Sequence, residues 1–191
     1  PKVLHTVAGR PLLAHAIAAA RQLNPQQVAV VYGHGGEQVP AAFSDQDLVW
    51  VFQEQQLGTG HAVEQALPAM QGVDRVLVLY GDVPLIQLQT LNSLMSASQE
   101  SALALLTAEF PDPSGYGRIL RDEDGSILRI VEQKDATAKE RAVCEINTGI
   151  LSADRRSLEE WLQRVENSNV QGEFYLTDIV GLAVADEVTV N

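Results

Sequence analysis

The 191 residues suffice for one domain with a full hydrophobic core. With 46% apolar and 20% charged residues the composition is that of an ordinary globular protein, and no apolar run is long enough to cross a bilayer. A net charge of −12 argues against a nucleic-acid surface, which needs clustered Lys and Arg, but leaves room for a small phosphorylated ligand held by local cations or a metal. The single cysteine, Cys144, cannot form an internal disulfide, so a reducing cytoplasm is the expected location.

In chain order, Pro11 precedes Leu12, Leu13, Ile17, Ala20 and Leu23 at helical spacing. Residues 28–31 form a continuous apolar run closed by Gly33, Gly35 and Gly36, and residues 48–52 a second strand rich in valine and aromatics. A helix is expected over 58–70. The most hydrophobic strand follows over 75–80, ended by Gly81-Asp82-Val83-Pro84. Leu88, Leu91, Leu94 and Met95 mark the next helix, and 102–110 another strand. The texture then changes. Residues 117–120 and 127–132 flank Asp122-Glu123-Asp124-Gly125, whose Asp-Gly favours a tight hairpin, so a small antiparallel insertion is expected. A strand over 145–151, a helix carrying Leu158, Trp161, Leu162 and Val165, and a last helix over 172–186 complete the chain.

This alternation predicts an α/β domain: a Rossmann-like, mostly parallel sheet with helices on both faces and the antiparallel insertion. Pro1 in place of a starting methionine, and a strand-like tail at 186–191, suggest one domain over 1–191 that is incomplete at both ends.

Ligands of parallel open sheets bind beyond the carboxyl ends of the strands, which picks out 33–35, 53–60, 81–82 and 147–149. Asp82 follows an apolar strand, and an unpaired carboxylate there costs several kcal/mol if buried (on the order of 3–5). Metal binding and an ordinary turn cap before Pro84 both satisfy it. Leu57-Gly58-Thr59-Gly60-His61 opens a helix whose free N–H groups suit an anion or acceptor, though plain helix capping is the commoner reading and no P-loop lysine follows. Gln53, Gln55 and Gln56 carry amides able to read a nucleobase edge. Lys2, before a helix, is either a phosphate ligand or an exposed lysine. Residues 114–118 have the backbone freedom for a lid or a common binding turn. His5, His15, His34 and His61 lack zinc spacing and carry no assigned chemistry, no serine sits in a nucleophile elbow, and Cys144 reads as a small buried residue. Trp50 and Trp161 read as core residues.

Eight motifs in one order carry a resemblance over essentially the whole chain: Pro1-Lys2-Val3-Leu4; Tyr32-Gly33-His34-Gly35-Gly36; Gln53 with Gln56-Leu57-Gly58-Thr59-Gly60-His61-Ala62; Tyr80-Gly81-Asp82-Val83-Pro84-Leu85; Ser114-Gly115-Tyr116-Gly117-Arg118-Ile119; Ile130-Val131-Glu132; Glu145-Ile146-Asn147-Thr148-Gly149; and Gly172-Glu173-Phe174-Tyr175-Leu176-Thr177-Asp178. The sequence resembles the uridyltransferase domains of the bacterial bifunctional N-acetylglucosamine-1-phosphate uridyltransferase/glucosamine-1-phosphate acetyltransferases. That resemblance implies a nucleotide-diphospho-sugar transferase fold and Mg²⁺-dependent transfer of UMP from UTP to N-acetylglucosamine 1-phosphate, releasing pyrophosphate. It implies that Lys2 contacts the nucleotide and sugar phosphates, and that Gln53, Gly58 and Thr59 hold uracil. Tyr80, Gly81 and Asp82 line the ribose and phosphate side, with Asp82 on Mg²⁺; Gly117, Glu132 and Asn147 hold the N-acetylglucosamine moiety. Lys2 and Asp82 are then the catalytic pair. The family's glycine-rich loop with its catalytic arginine, its first strand and its second magnesium-ligating Asn have no counterpart in these residues. The chain alone is therefore expected to be inactive, and a homotrimer is expected only through a C-terminal β-helix domain of the parent protein. A transferase of another base or sugar, and a non-catalytic nucleotide-sugar-binding module, are the rival readings.

Overall fold

A computed structural model describes residues 1–33, 35–44 and 47–191. A 3-10 turn, Lys2–Leu4, leads into a short hairpin of β1 (Thr6–Val7) and β2 (Arg10–Pro11). Then follow α1 (Leu12–Arg21), β3 (Val28–Tyr32), α2 (Gln38–Ala41), β4 (Leu48–Phe52) and α3 (Thr59–Ala66). Pro68, which has no N–H to continue the ladder, accompanies a change to 3-10 geometry over Leu67–Met70. β5 (Arg75–Val78), α4 (Leu88–Ala97), β6 (Leu103–Glu109), β7 (Arg118–Arg121), β8 (Ile127–Val131), α5 (Ala138–Arg141), β9 (Glu145–Asp154), α6 (Arg155–Leu162) and α7 (Asp178–Ala185) complete the order.

The α/β class with helices on both faces holds, but the sheets are mixed rather than mostly parallel. Parallel pairing joins β3 to β4, residue for residue from Val28↔Leu48 to Tyr32↔Phe52. β9 is the centre of the five-stranded sheet and runs antiparallel to β5, β6 and β7. The reason is topological. After β6 the chain turns through the β7–β8 hairpin and re-enters between β5 and β6 in the opposite sense. A strand buried on both faces is a continuous apolar run whichever way it points, so sequence alone does not report direction.

Period-two alternation sorts the side chains to two faces. Leu103 and Leu105 of β6, Leu151 and Ala153 of β9, and Val76 and Val78 of β5 meet Leu158, Trp161, Ile179, Val180 and Ala183 from α6 and α7. Their neighbours Ala104, Leu106, Ile150, Leu77 and Leu79 face the other way, onto Ala19 of α1 and Leu91 and Leu94 of α4. α1 also sends Leu13 and Ile17 to Val30 and Leu48 of the β3–β4 sheet, so one helix packs against both sheets.

The hairpin turn forms as expected. Asp122 Oδ1 accepts from the N–H groups of Asp124 and Ser126, and Gly125 takes φ +87. The tail closes on the sheet edge: the Leu105 N–H donates to the Asn191 carbonyl, and Val190 bridges Leu103 in parallel. The last helix begins at Asp178, six residues after the expected start at 172, because 172–175 is irregular and the Phe174 backbone pairs with the Leu57–Gly60 turn. Cys144 is exposed, not buried. Trp161 is buried, its Nε1–H donating to Asp186, and Trp50 packs edge-on against Tyr32.

Candidate active site

The site candidates lie along one arc of contacts, most of them on turns next to β4, β5, β7 and β8, whereas 147–149, expected beyond a strand end, lies within β9. At one end, Gln53 follows β4, its N–H donating to the Tyr32 carbonyl of β3. Its side chain is 8% exposed, and Nε2 donates to the Gly58 carbonyl at 3.1 Å and lies 2.9 Å from His61 Nδ1. Gly58 precedes α3 at φ +120, and a Cβ there would lie 2.5 Å from the Phe174 carbonyl oxygen. Only glycine tolerates that conformation and that approach.

The turn after Gly58 is tied to the segment around Phe174 by three hydrogen bonds. The Gly60 N–H donates to Phe174 O at 2.8 Å, the Phe174 N–H donates to Leu57 O, and Thr59 Oγ1 accepts from the Leu176 N–H at 3.0 Å. These bonds hold the non-helical residues 172–175 against the turn.

Thr177, the residue after Leu176, donates its hydroxyl to Glu132 Oε1 at 3.0 Å. Burial raises the Glu132 carboxyl above the usual range, opposed by the Thr177 bond and reinforced by Asp135. Asp178, beside it, is pushed up to about 6 by burial and by the charges of Glu132 and Asp135. Gly117 sits against the Glu132 carboxylate, where an added Cβ would come within 3.3 Å of Oε1. The Gly117 carbonyl accepts from the Asn147 N–H at 2.8 Å, and Asn147 Oδ1 accepts from the Gly149 N–H. Gly117, Glu132 and Asn147 are thereby brought together from the hairpin and β9.

The turn carrying Gly117 is fixed from below by Arg118, 1% exposed. Its guanidinium donates to the Tyr116 and Arg141 carbonyls and to Gln133 Oε1, which also accepts from the Gly115 N–H. Residues 114–118 are in this way a pinned turn.

Gly149, at φ +82, packs directly under the Tyr80 ring and marks where the β6–β9 register shifts. Burial raises the Tyr80 phenol, helped by the charges of Glu132 and Asp82. Gly81 faces Leu13 and Val3, so a Cβ would press on both. Asp82 follows in the turn closed by Val83 N–H to Tyr80 O, and its Oδ2 accepts from Lys2 Nζ at 2.7 Å. This ion pair is open to solvent, with Lys2 73% and Asp82 28% exposed, and it raises the Lys2 ammonium above its ordinary value.

All ten positions singled out from the sequence thus fall on this arc. His34, within one of the motifs, lies outside the described residues. Three contributors escaped sequence reading: Thr177, the Arg118–Gln133 clamp and His61. Thr177 and Arg118 stand inside recognised motifs, and only their partners in space reveal their part. Among the described residues no cluster of three or more His, Cys, Asp or Glu side chains is placed to hold a metal. Asp82 alone fits an ion that draws most of its shell from substrate phosphates and water, as Mg²⁺ does.

The family described as MobA-like NTP transferase domain matches residues 1–149. The chain belongs to this family. As a MobA-like NTP transferase domain it is a nucleotidyltransferase, and its α/β fold with mixed sheets is the family's. Among similar curated proteins, the Bifunctional protein GlmU of Alkalilimnicola ehrlichii is 55% identical over 190 residues, 100% of this chain and 41% of the relative. The Bifunctional protein GlmU of Aromatoleum aromaticum is 57% identical over 190 residues, covering 100% and 42%. The chain therefore spans about two fifths of the length of the curated relatives it matches. Among solved structures, a UDP-glucose pyrophosphorylase complexed with UDP-glucose superposes with TM-score 0.81 at 18% identity, over 98% of this chain and 80% of the other. HddC from Yersinia pseudotuberculosis superposes with TM-score 0.68 at 16% identity, covering 100% and 79%. At those identities the likeness extends to the fold alone.

Proposed function

We propose that this domain transfers UMP from UTP to N-acetylglucosamine 1-phosphate, forming UDP-N-acetylglucosamine and releasing pyrophosphate. The observation that supports this most is the single arc, with an amide-bearing turn at one end, a buried carboxylate in its middle and a lysine–aspartate pair at the other. The similarity to proteins named GlmU over the full chain supports the choice of uridyl and N-acetylglucosaminyl substrates.

In this reading Gln53, Gly58 and Thr59 receive the uracil, Tyr80 and Gly81 flank the ribose, and Gly117, Glu132 and Asn147 hold the sugar. A phosphate oxygen of the sugar phosphate attacks the α-phosphorus of UTP, and the bond to pyrophosphate breaks in line. Both reactants are anions and no protein nucleophile is needed, so positioning and charge neutralisation are the protein's contribution. Lys2 turns its ammonium from Asp82 to the phosphates. Asp82 would hold Mg²⁺, which when bound neutralises charge on the phosphoryl oxygens.

The homotrimer rests on the resemblance and the cytoplasmic location on the single cysteine; sedimentation of the full-length protein tests the trimer. The decisive experiment is pyrophosphate release by that protein with UTP against dTTP, and N-acetylglucosamine 1-phosphate against glucose 1-phosphate, with and without EDTA. We expect activity with UTP and the N-acetylated sugar, abolished by EDTA and restored by Mg²⁺. A preference for another base or sugar, or turnover in EDTA, overturns the corresponding assignment; nucleotide-sugar binding without turnover identifies a binding module.

A further inference from the structure

His61 is the third residue of α3, half-buried, and has no place in the chemistry proposed above. Its Nδ1 lies 2.9 Å from the side-chain nitrogen of Gln53, whose amide is buried between the end of β4 and the Gly58 turn. The hydrogen-bond inventory of that amide is closed. A backbone carbonyl only accepts, so the Gln53 atom 3.1 Å from Gly58 O must be the NH₂ nitrogen and not the amide oxygen. That nitrogen carries two hydrogens. One goes to Gly58 O, and the other meets His61 Nδ1, which must then be an unprotonated acceptor with the ring proton on Nε2.

Both donors of Gln53 are therefore consumed inside the protein, leaving Oε1 as the amide's only free polar atom. We infer that His61 is a positioning residue for base selection: by taking the second amide hydrogen of Gln53, it makes this residue present an acceptor alone. An acceptor matches the N3–H of uracil and opposes the N3 lone pair of cytosine. Without His61 the Gly58 carbonyl alone holds the amide's orientation, so the amide turns over more readily and can then satisfy either base. This inference rests on the proposal that Gln53 meets the nucleobase, and it adds a residue that, together with the Gly58 carbonyl, holds the direction of the contact.

The test is calorimetric binding of UTP and CTP to the protein and its variants, with melting temperatures measured alongside. The parent is expected to prefer UTP by roughly 100-fold, the scale on which a site built around one hydrogen bond rejects a mismatched partner. His61→Leu is expected to reduce that preference about tenfold, and His61→Asn, whose side-chain oxygen supplies an acceptor near the former Nδ1, to restore it. A purely structural role would weaken both nucleotides equally and leave their ratio unchanged, which overturns the inference. A parent with no UTP preference overturns the base-reading proposal itself, and this inference with it. Nitrogen-15 NMR of the parent gives a reading independent of any variant: His61 should carry its proton on Nε2, and a ring protonated on Nδ1 sinks the idea even if His61→Leu does not fold.

Discussion

The two ends of the arc are built on opposite principles. At the Gly58 turn, backbone bonds to Phe174 and Leu176 and the amide of Gln53 fix every neighbour before any ligand arrives. At the other end, Lys2 and Asp82 share one solvent-exposed ion pair and little else. A rigid end suits recognition of a flat, uncharged base, where preorganisation avoids the entropy of ordering side chains on binding. An open pair of charges suits phosphates, which arrive with counterions and require the lysine to let go of its partner.

If that contrast is right, the open end is where substitution harms chemistry and spares the fold. Asp82→Ala is expected to lower turnover of the full-length enzyme by about 100-fold or more while the melting temperature moves by less than about 2 °C, because exposed ion pairs add little stability. Near-normal turnover breaks both the contrast and the magnesium assignment. At the rigid end the order reverses. Gly58→Ala drives a Cβ into the Phe174 carbonyl at a left-handed φ, so a loss of about 2–4 kcal/mol in chemical denaturation is expected, together with weaker UTP binding. Unchanged stability would mean the turn is not pinned by Phe174.

The smallest effect concerns the middle of the arc. Asp178 has its pKa raised from 3.8 to about 6, so the folded chain holds this proton more tightly than the unfolded chain. Its contribution falls as pH rises from about 4 to about 6 and stays level above that. Asp178→Asn removes the penalty and is expected to raise stability at pH 7 by ~1–2 kcal/mol, with no gain at pH 3. Denaturation curves at the two pH values check the sign.

The sequence reading was strongest where hydrophobic periodicity is unambiguous. Residues 48–52 are a strand, Leu88 to Met95 lie on α4, and the Asp122–Gly125 turn forms its hairpin. It erred where tertiary pairing overrides local pattern. The stretch at 172–177 was expected to be helical, yet its backbone hydrogen bonds go to Leu57 and Gly60, more than a hundred residues away. Strand direction in the main sheet was hidden because β9 is buried on both faces from Gly149 to Ala153, which is the same whichever way the strand runs. In the site, Asp82 and the glycines were conspicuous because a carboxylate after an apolar strand, or glycine at a helix start, needs an explanation. Thr177 and Arg118 were not, because a threonine before a helix and an arginine after a glycine are ordinary until their partners are known.

The segment 174–177 ties two parts of the arc together. Phe174 and Leu176 grip the turn proposed to face the base, and Thr177, the very next residue, grips the carboxylate proposed to face the sugar. Four consecutive residues therefore act as a ruler laid between two recognition sites. Lengthening the strip by one residue would slide one pocket against the other by up to about 3.5 Å, more than a reacting oxygen can tolerate. Changes of nucleotide and of sugar are thus geometrically tied, and an engineer who redesigns one pocket must keep the ruler's length.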